Sequence, residues 1–271
     1  MVSIHTPELR LTPELRARRV LDWAFEVYRE RLALACSFGG PSGLVLVDLL
    51  ARAGLRAPVY FLDTGLLFAE TYALVDHVQA RYGIQVEAVR SELDLQSQAE
   101  RYGPELWRRD PDACCNVRKV VPQRAFLARF EAWISGIRRD QSATRAETKL
   151  VDWDDRPGGL TKISPLADWS EADVWGYVYA NDVPYNPLHD AGYPSLGCVS
   201  CTRRVAAGEE ARAGRWPGFT KTECGLHAHP HGAVCARPAR PAPYPCLDQR
   251  PVSCPALRGR LFAVLSHRRQ S

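Results

Sequence analysis

Five cysteines carry the chemistry this sequence could perform. Cys114 and Cys115 are adjacent in DPDACCNVRK, and Cys198 and Cys201 form a C-x-x-C in YPSLGCVSCTRR. An adjacent pair makes a poor disulfide, because closing a ring across one peptide unit strains the S–S geometry. The C-x-x-C spacing lets two sulfurs reach one metal centre. Together the two pairs offer four thiolates, enough for tetrahedral zinc or a cubane iron–sulfur cluster. Structural zinc sites separate neighbouring ligands by about two to four residues, whereas adjacent thiolates can ligate two different corners of a cubane. The cluster is the favoured reading; zinc, or four unrelated thiols with the C-x-x-C as a redox pair, stay open. The fifth cysteine, Cys224 in FTKTECGLH, stands among Lys221, Glu223 and His227. A nearby lysine or imidazolium favours thiolate and so makes a nucleophile; a buried inert thiol is the alternative. Cys36, inside LALACSF, reads as a small core residue.

A second set of residues suits an anionic ligand. CSFGGPSG follows an apolar run and opens a helix, so its backbone N–H groups could cradle phosphate, although it is not a G-x-x-x-x-G-K-[ST] loop. FLDTG and SGIRRDQSATR close later apolar runs. Arg138, Arg139 and Arg145 supply planar donors suited to phosphate or sulfate, and Ser37, Ser42 and Thr64 add hydroxyls.

The elements that must position these residues alternate. Thr12-Pro13-Glu14 reads as an N-cap, a proline at the first helical position and an acidic first turn. The helix it starts should end near Arg31. LALACSFGG is then strand and loop, GLVLVDLLARAG helix, PVYFLDTG strand, FAETYALVDHVQARYG helix closed by Gly83, and IQVEAV strand. Residues 92–130 read as mostly helical, with the cysteine pair just ahead of a helix over Val117 to Phe130. AWISGI is a further strand, and Ser170 with Asp173 forms a capping box for EADVWGYVYAND. Alternating buried strands and helices predict an α/β, doubly wound, mostly parallel sheet, whose ligands sit at the carboxyl ends of the strands.

The chain has 271 residues, 46% of them apolar, enough for one large core or a core with an appendage. No run of about 18 apolar residues occurs and the N-terminus lacks the order of a secretory signal, so a cytoplasmic protein is expected. Nine cysteines in a reducing compartment point to metal ligation or catalysis rather than disulfides. The formal charge of +4 belongs to the end of the chain: residues 228–271 hold seven Arg and one Asp, leaving a net of −2 for residues 1–227. The body therefore lacks the basic excess of a nucleic-acid binder. From about His229 the chain is rich in Pro, Ala and Arg without periodicity, which predicts a disordered or loosely attached tail, with one short helix in ALRGRLFAVLSHRR.

With these residues in view, SFGG, FLDTG, CCNVRKV, SGIRRDQSATRA, PLADWSEADVW, VPYNPLHDAGYPSLGCVSCTR, ARAGRW and TECGLH together resemble the assimilatory adenylyl-sulfate (APS) reductases of the APS/PAPS reductase family, over roughly residues 31 to 227. The resemblance implies a PP-loop, adenine nucleotide alpha hydrolase-like fold, with a nucleotide-binding core over about 31–180 and a cluster and catalytic segment over about 181–227. It implies one 4Fe-4S cluster per subunit on Cys114, Cys115, Cys198 and Cys201. Cys224 becomes the nucleophile that takes the sulfonate from adenylyl sulfate, and thioredoxin or a similar dithiol releases sulfite. Lys119, Arg212, Arg215 and His227 match the family's sulfate-facing cations. The substrate-binding positions become Ser37, Phe38, Gly39, Asp63, Thr64, Gly65, Gly136, Arg138, Arg139 and Arg145. Nothing in the sequence opposes a homo-oligomer. The rivals are a PAPS reductase with the same mechanism, an ATP pyrophosphatase, and a non-catalytic zinc-stabilised nucleotide-binding protein. Two features depart from the family: SFGGPSG lacks its usual acidic residue, and residues 228–271, with Cys235, Cys246 and Cys254, match nothing in it.

Overall fold

Thr12 begins the folded chain as its sequence predicts: its hydroxyl accepts the Leu15 N–H at 3.2 Å, Pro13 takes the first helical position, and helix α1 runs Pro13–Tyr28. The computed structural model describes residues 11–153 and 159–227. A single 3-10 turn, Arg29–Arg31, leads from α1 into strand β1, Leu32–Ala35. The remaining strands are β2 (Val59–Asp63), β3 (Val86–Arg90), β4 (Ala132–Ser135), β5 (Val151–Trp153) and β6 (Thr161–Ile163). They form one sheet in the order β3-β2-β1-β4-β6-β5, parallel except for β5, which runs antiparallel to β6 at the edge. Neither β5 nor β6 shows in the sequence pattern, because three residues are too few to display a strand's period. β1 lies centrally and is buried along most of its length, which is why it reads as an unbroken apolar run.

Helices α2 (Pro41–Arg52), α3 (Ala69–Tyr82) and α8 (Glu171–Ala180) join this sheet to its flanking layers. Gly83 closes α3 at φ 60°, and Ser170 with Asp173 forms the capping box of α8. The buried Asp48 on α2 accepts from Tyr177 of α8 at 2.7 Å and Tyr82 of α3 at 3.0 Å. Arg52 adds a third donor at 2.6 Å, so one carboxylate pins three helices.

The stretch between β3 and β4 contains α4 (Leu95–Tyr102), α5 (Leu106–Arg109), α6 (Pro111–Cys115) and α7 (Val121–Leu127), with a five-residue π turn over Asn116–Val120. This corrects the expected single helix over Val117 to Phe130. The cysteine pair lies inside the helical stretch, because Asp110 caps the Ala113 N–H at 2.9 Å and Pro111 takes the first position of α6. The π turn re-aims Arg118 and Lys119 inward, and both are buried.

No helix among the described residues is long and apolar enough to cross a membrane. The described residues all belong to one compact unit; residues 228–271 lie outside them. So do the readings of the tail, its short helix, and Cys235, Cys246 and Cys254.

Candidate active site

The strand order reverses at β1, with β2 on one side and β4 on the other, and Ala35 pairs with Ser135 at the carboxyl ends. The loops after these two strands therefore leave side by side, the place where open α/β sheets bind ligands. Their approach is close: a Cβ on Gly136 would lie 3.0 Å from the Gly43 nitrogen. A cavity of about 320 Å³ opens there. Ser37, Gly39, Gly136, Arg138 and Arg145 line it together with Lys119, Arg212, Arg215, Cys224 and His227. Arg138 is buried and donates to Ser42 Oγ at 2.6 Å and Asp140 at 2.9 Å, which fixes its guanidinium at the start of α2.

Five of the residues expected to bind substrate do not line the cavity. Phe38, at φ 54°, buries its ring edge-on against Phe61, while its carbonyl accepts from Asn186 at 3.2 Å. Asp63 accepts from Tyr72 at 2.7 Å, the Gly65 N–H at 3.0 Å and Arg90 at 2.8 Å. Burial pushes the Asp63 carboxyl up, but these donors outweigh it and hold the group below the usual carboxylate range. Asp63 and Gly65 thus build the turn after β2 rather than the cavity wall. Thr64 is fully buried, with Oγ1 3.3 Å from Cys198 Sγ, so the FLDTG loop reaches the thiols instead. Arg139 is the clearest departure: beside the inward Arg138, it turns out to Asp168 and donates to the Thr148 carbonyl at 2.7 Å.

The thiols converge. Cys115, Cys198 and Cys201 form a buried group with Trp216, against which Leu66, Trp107 and Cys224 pack. Cys114 is buried beside them, and its thiol is pushed up to about 12, first by burial and then by the sulfurs of Cys115, Cys198 and Cys201. Burial raises Cys115 and Cys201 as well. The C-x-x-C turn is tied to the loop after β2, where the Val199 N–H donates to the Leu66 carbonyl at 2.8 Å. Arg118 completes this support, donating to the Thr64 carbonyl at 2.5 Å, Gln98 at 2.9 Å and the Leu93 carbonyl at 3.3 Å. In the sequence Arg118 was only half of a basic pair; its structural task carried no local signal.

The donor set is chemically that of a soft metal centre, four buried thiols from two segments. Among the described residues, no three His, Cys, Asp or Glu side chains are grouped so as to hold a metal ion. Burial disfavours the thiolates of Cys114, Cys115 and Cys201, so these ligands would need a cationic centre to ionise.

Cys224 is half-buried, touching the thiol group on one side and the cavity on the other. Burial opposes the charge of Lys119, but attraction to Cys198, Cys224 and Cys115 outweighs it and raises its pKa. Arg215 lies 4.5 Å over the Trp216 ring and donates to the Leu196 carbonyl at 3.0 Å. Residue 197 is glycine, and a Cβ there would lie 2.3 Å from Arg215 Nη2, so a larger residue would make this guanidinium shift. Arg212 donates to the Thr222 carbonyl at 2.7 Å, and burial lowers its pKa. His227 stacks on Trp133 with rings 5.7 Å apart and 8° from parallel. The sequence neighbours of Cys224 have other duties. Lys221 pairs with Asp112 on α6, and Glu223 binds Arg145.

A doubly wound sheet with a cation-lined cavity at its switch point, bordered by grouped thiols, defines an α/β protein built for thiol chemistry on an anionic ligand. Residues 31–204 match the phosphoadenosine phosphosulfate reductase domain, and the chain belongs to that family. It is 50% identical over 209 residues to the adenosine 5'-phosphosulfate reductase of Halalkalibacterium halodurans, covering 77% of this chain and 90% of the relative. It is 46% identical to adenosine 5'-phosphosulfate reductase 1 of Bacillus subtilis, covering 79% and 92%. Among solved structures, a phosphoadenylyl-sulfate reductase from Candida auris superposes with a TM-score of 0.61 at 29% identity, covering 73% of this chain and 93% of that one. The FMN adenylyltransferase of Candida glabrata, at TM-score 0.51 and 18% identity over 69% and 61%, shares the fold alone.

Proposed function

We propose that this protein reduces adenylyl sulfate to sulfite and AMP in sulfate assimilation, with Cys224 as nucleophile. The observation that carries this reading is the position of Cys224, which faces a cavity lined by Lys119, Arg212 and Arg215 and backs onto the buried thiols. Relatives named adenosine 5'-phosphosulfate reductase, 44% to 50% identical, support adenylyl sulfate over its 3'-phosphorylated analogue.

The Cys224 thiolate attacks the sulfate sulfur, an S–S bond forms as the S–O bond to phosphate breaks, and AMP leaves with the electron pair. A dithiol reductant such as thioredoxin then attacks Cys224 Sγ and releases sulfite. Its second thiol resolves the mixed disulfide, returning Cys224 and leaving the reductant oxidised. A thiolate and a sulfate oxygen 4 Å apart repel by about 4 kcal/mol at an effective dielectric of 20. The three cations must offset that cost before bond formation begins. Ser37, Gly39, Gly136 and Arg138, on the sheet side of the cavity, hold the nucleotide. Cys114, Cys115, Cys198 and Cys201 would hold a 4Fe-4S cluster, for which four buried thiols are a suitable soft donor set. That group would supply structural support to the thiol-bearing segments, and Lys119 would lie beside its thiolates. A reducing compartment such as the cytoplasm suits the six free thiols of the described residues.

Cys224→Ser should abolish sulfite release and S-sulfonate formation while iron and acid-labile sulfide persist in anaerobically purified protein. Turnover by that variant refutes the nucleophile. Zinc in place of iron refutes the cluster, and a higher kcat/KM for the 3'-phosphorylated nucleotide refutes the substrate preference.

A further inference from the structure

Glu223 precedes the nucleophile and does not line the cavity, whereas Cys224 does. Its carboxylate receives both arms of the Arg145 guanidinium at 2.8 Å, Thr144 Oγ1 at 3.2 Å and Ser142 Oγ at 3.4 Å. Arg212 stands 3.6 Å away. The pair is largely withdrawn from water, with Arg145 at 12% and Glu223 at 21% side-chain exposure. Bidentate pairing of this kind fixes direction as well as distance. On the other side of Cys224, Gly225 turns the chain at φ 84°, and a Cβ there would meet Val120 at 3.4 Å. The nucleophile is thus held between an ion-pair anchor and a glycine turn, in a segment with no helix or strand of its own.

We infer that Glu223 is a positioning residue, and that the loop after β4 seats Cys224 through the Arg145–Glu223 pair. On this view Arg145, which the sequence suggested as a substrate cation, acts first on the enzyme's own carboxylate. Arg145 and Glu223 stand 78 residues apart in sequence, so the pair couples the loop after β4 to the thiol-bearing segment. The kinetic arm of the test rests on Cys224 being the nucleophile; the chemical arm does not.

Three variants are compared: Glu223→Gln, Glu223→Asp and the swap Glu223→Arg with Arg145→Glu. Iodoacetamide labelling of Cys224, followed by mass spectrometry without nucleotide, reads the anchor directly. Glu223→Gln should label roughly tenfold faster and lose roughly tenfold in kcat with KM within about twofold, because misplacement of a reacting group costs rate rather than binding. Glu223→Asp should lie between it and wild type, and the swap should recover at least half of the lost kcat. Unchanged labelling in Glu223→Gln overturns the inference, as does a rise in KM alone, which would make the cluster of donors a substrate site. Failure of the swap in a protein that melts like wild type also overturns it. Altered labelling in a protein inert toward adenylyl sulfate would uphold the anchor and refute the substrate.

Discussion

The two sides of the cavity are built by different means. The sheet side consists of loops at the ends of β1 and β4, placed by parallel register and by the close approach of Gly136 to the start of α2. The thiol side draws on α6, the π turn, the C-x-x-C turn and residues 212–227, most of it irregular. Long-range side-chain bonds hold it: Arg118 to Thr64, Lys221 to Asp112, Arg145 to Glu223. A ladder of backbone bonds resists change at any one residue, whereas a charge pair with one partner removed leaves a buried group unsatisfied. Single substitutions should therefore disable the thiol side while leaving nucleotide binding in place.

The strongest challenge to that contrast is Gly197→Ala. The added methyl displaces Arg215, and sulfite formation should fall by roughly a hundredfold while AMP affinity, measured by calorimetry, stays within about twofold of wild type. Equal losses in both would erase the distinction. Arg118→Met should come next, since it strips donors from the Thr64 carbonyl and Gln98 together. A loss of about 2 kcal/mol is expected from the denaturation midpoint, with faster alkylation of Cys114 and Cys115. The smallest effect tests the turn after β2, which a carboxylate and its donors hold. The folded pKa of Asp63 is lowered, so its contribution is full above the usual carboxylate value and is lost as pH falls through the folded value. Asp63→Asn should melt about 4 °C lower at neutral pH or less than that, and the gap should close on acidification below about pH 4. A gap that widens in acid would contradict the assigned donors.

Much of the fold was legible in local pattern. The Thr12 cap, Gly83, and the Ser170–Asp173 box each announce a helix end through residues within one turn of it. The apolar runs that become β1, β2 and β4 show parallel strands for the same reason. The start of α6 was equally local, in Asp110 and Pro111, yet the eye goes to the cysteines that follow. The pairing of Cys114 and Cys115 with Cys198 and Cys201 was readable because thiols are few and chemically marked. Arginines carry no such mark: Arg138 and Arg139 are neighbours in sequence, yet one is buried at the cavity and the other faces Asp168.

The sequence by itself determined the alternating α/β architecture, the two cysteine pairs and the separate cysteine at 224, because spacing and capping are properties of short stretches. Only the tertiary structure decided which cations face Cys224 and which are spent on carboxylates. Those choices join residues 29, 78 and 109 positions apart. Sheet crossovers bring such groups together, and burial then makes each buried charge depend on whichever partner the fold delivers.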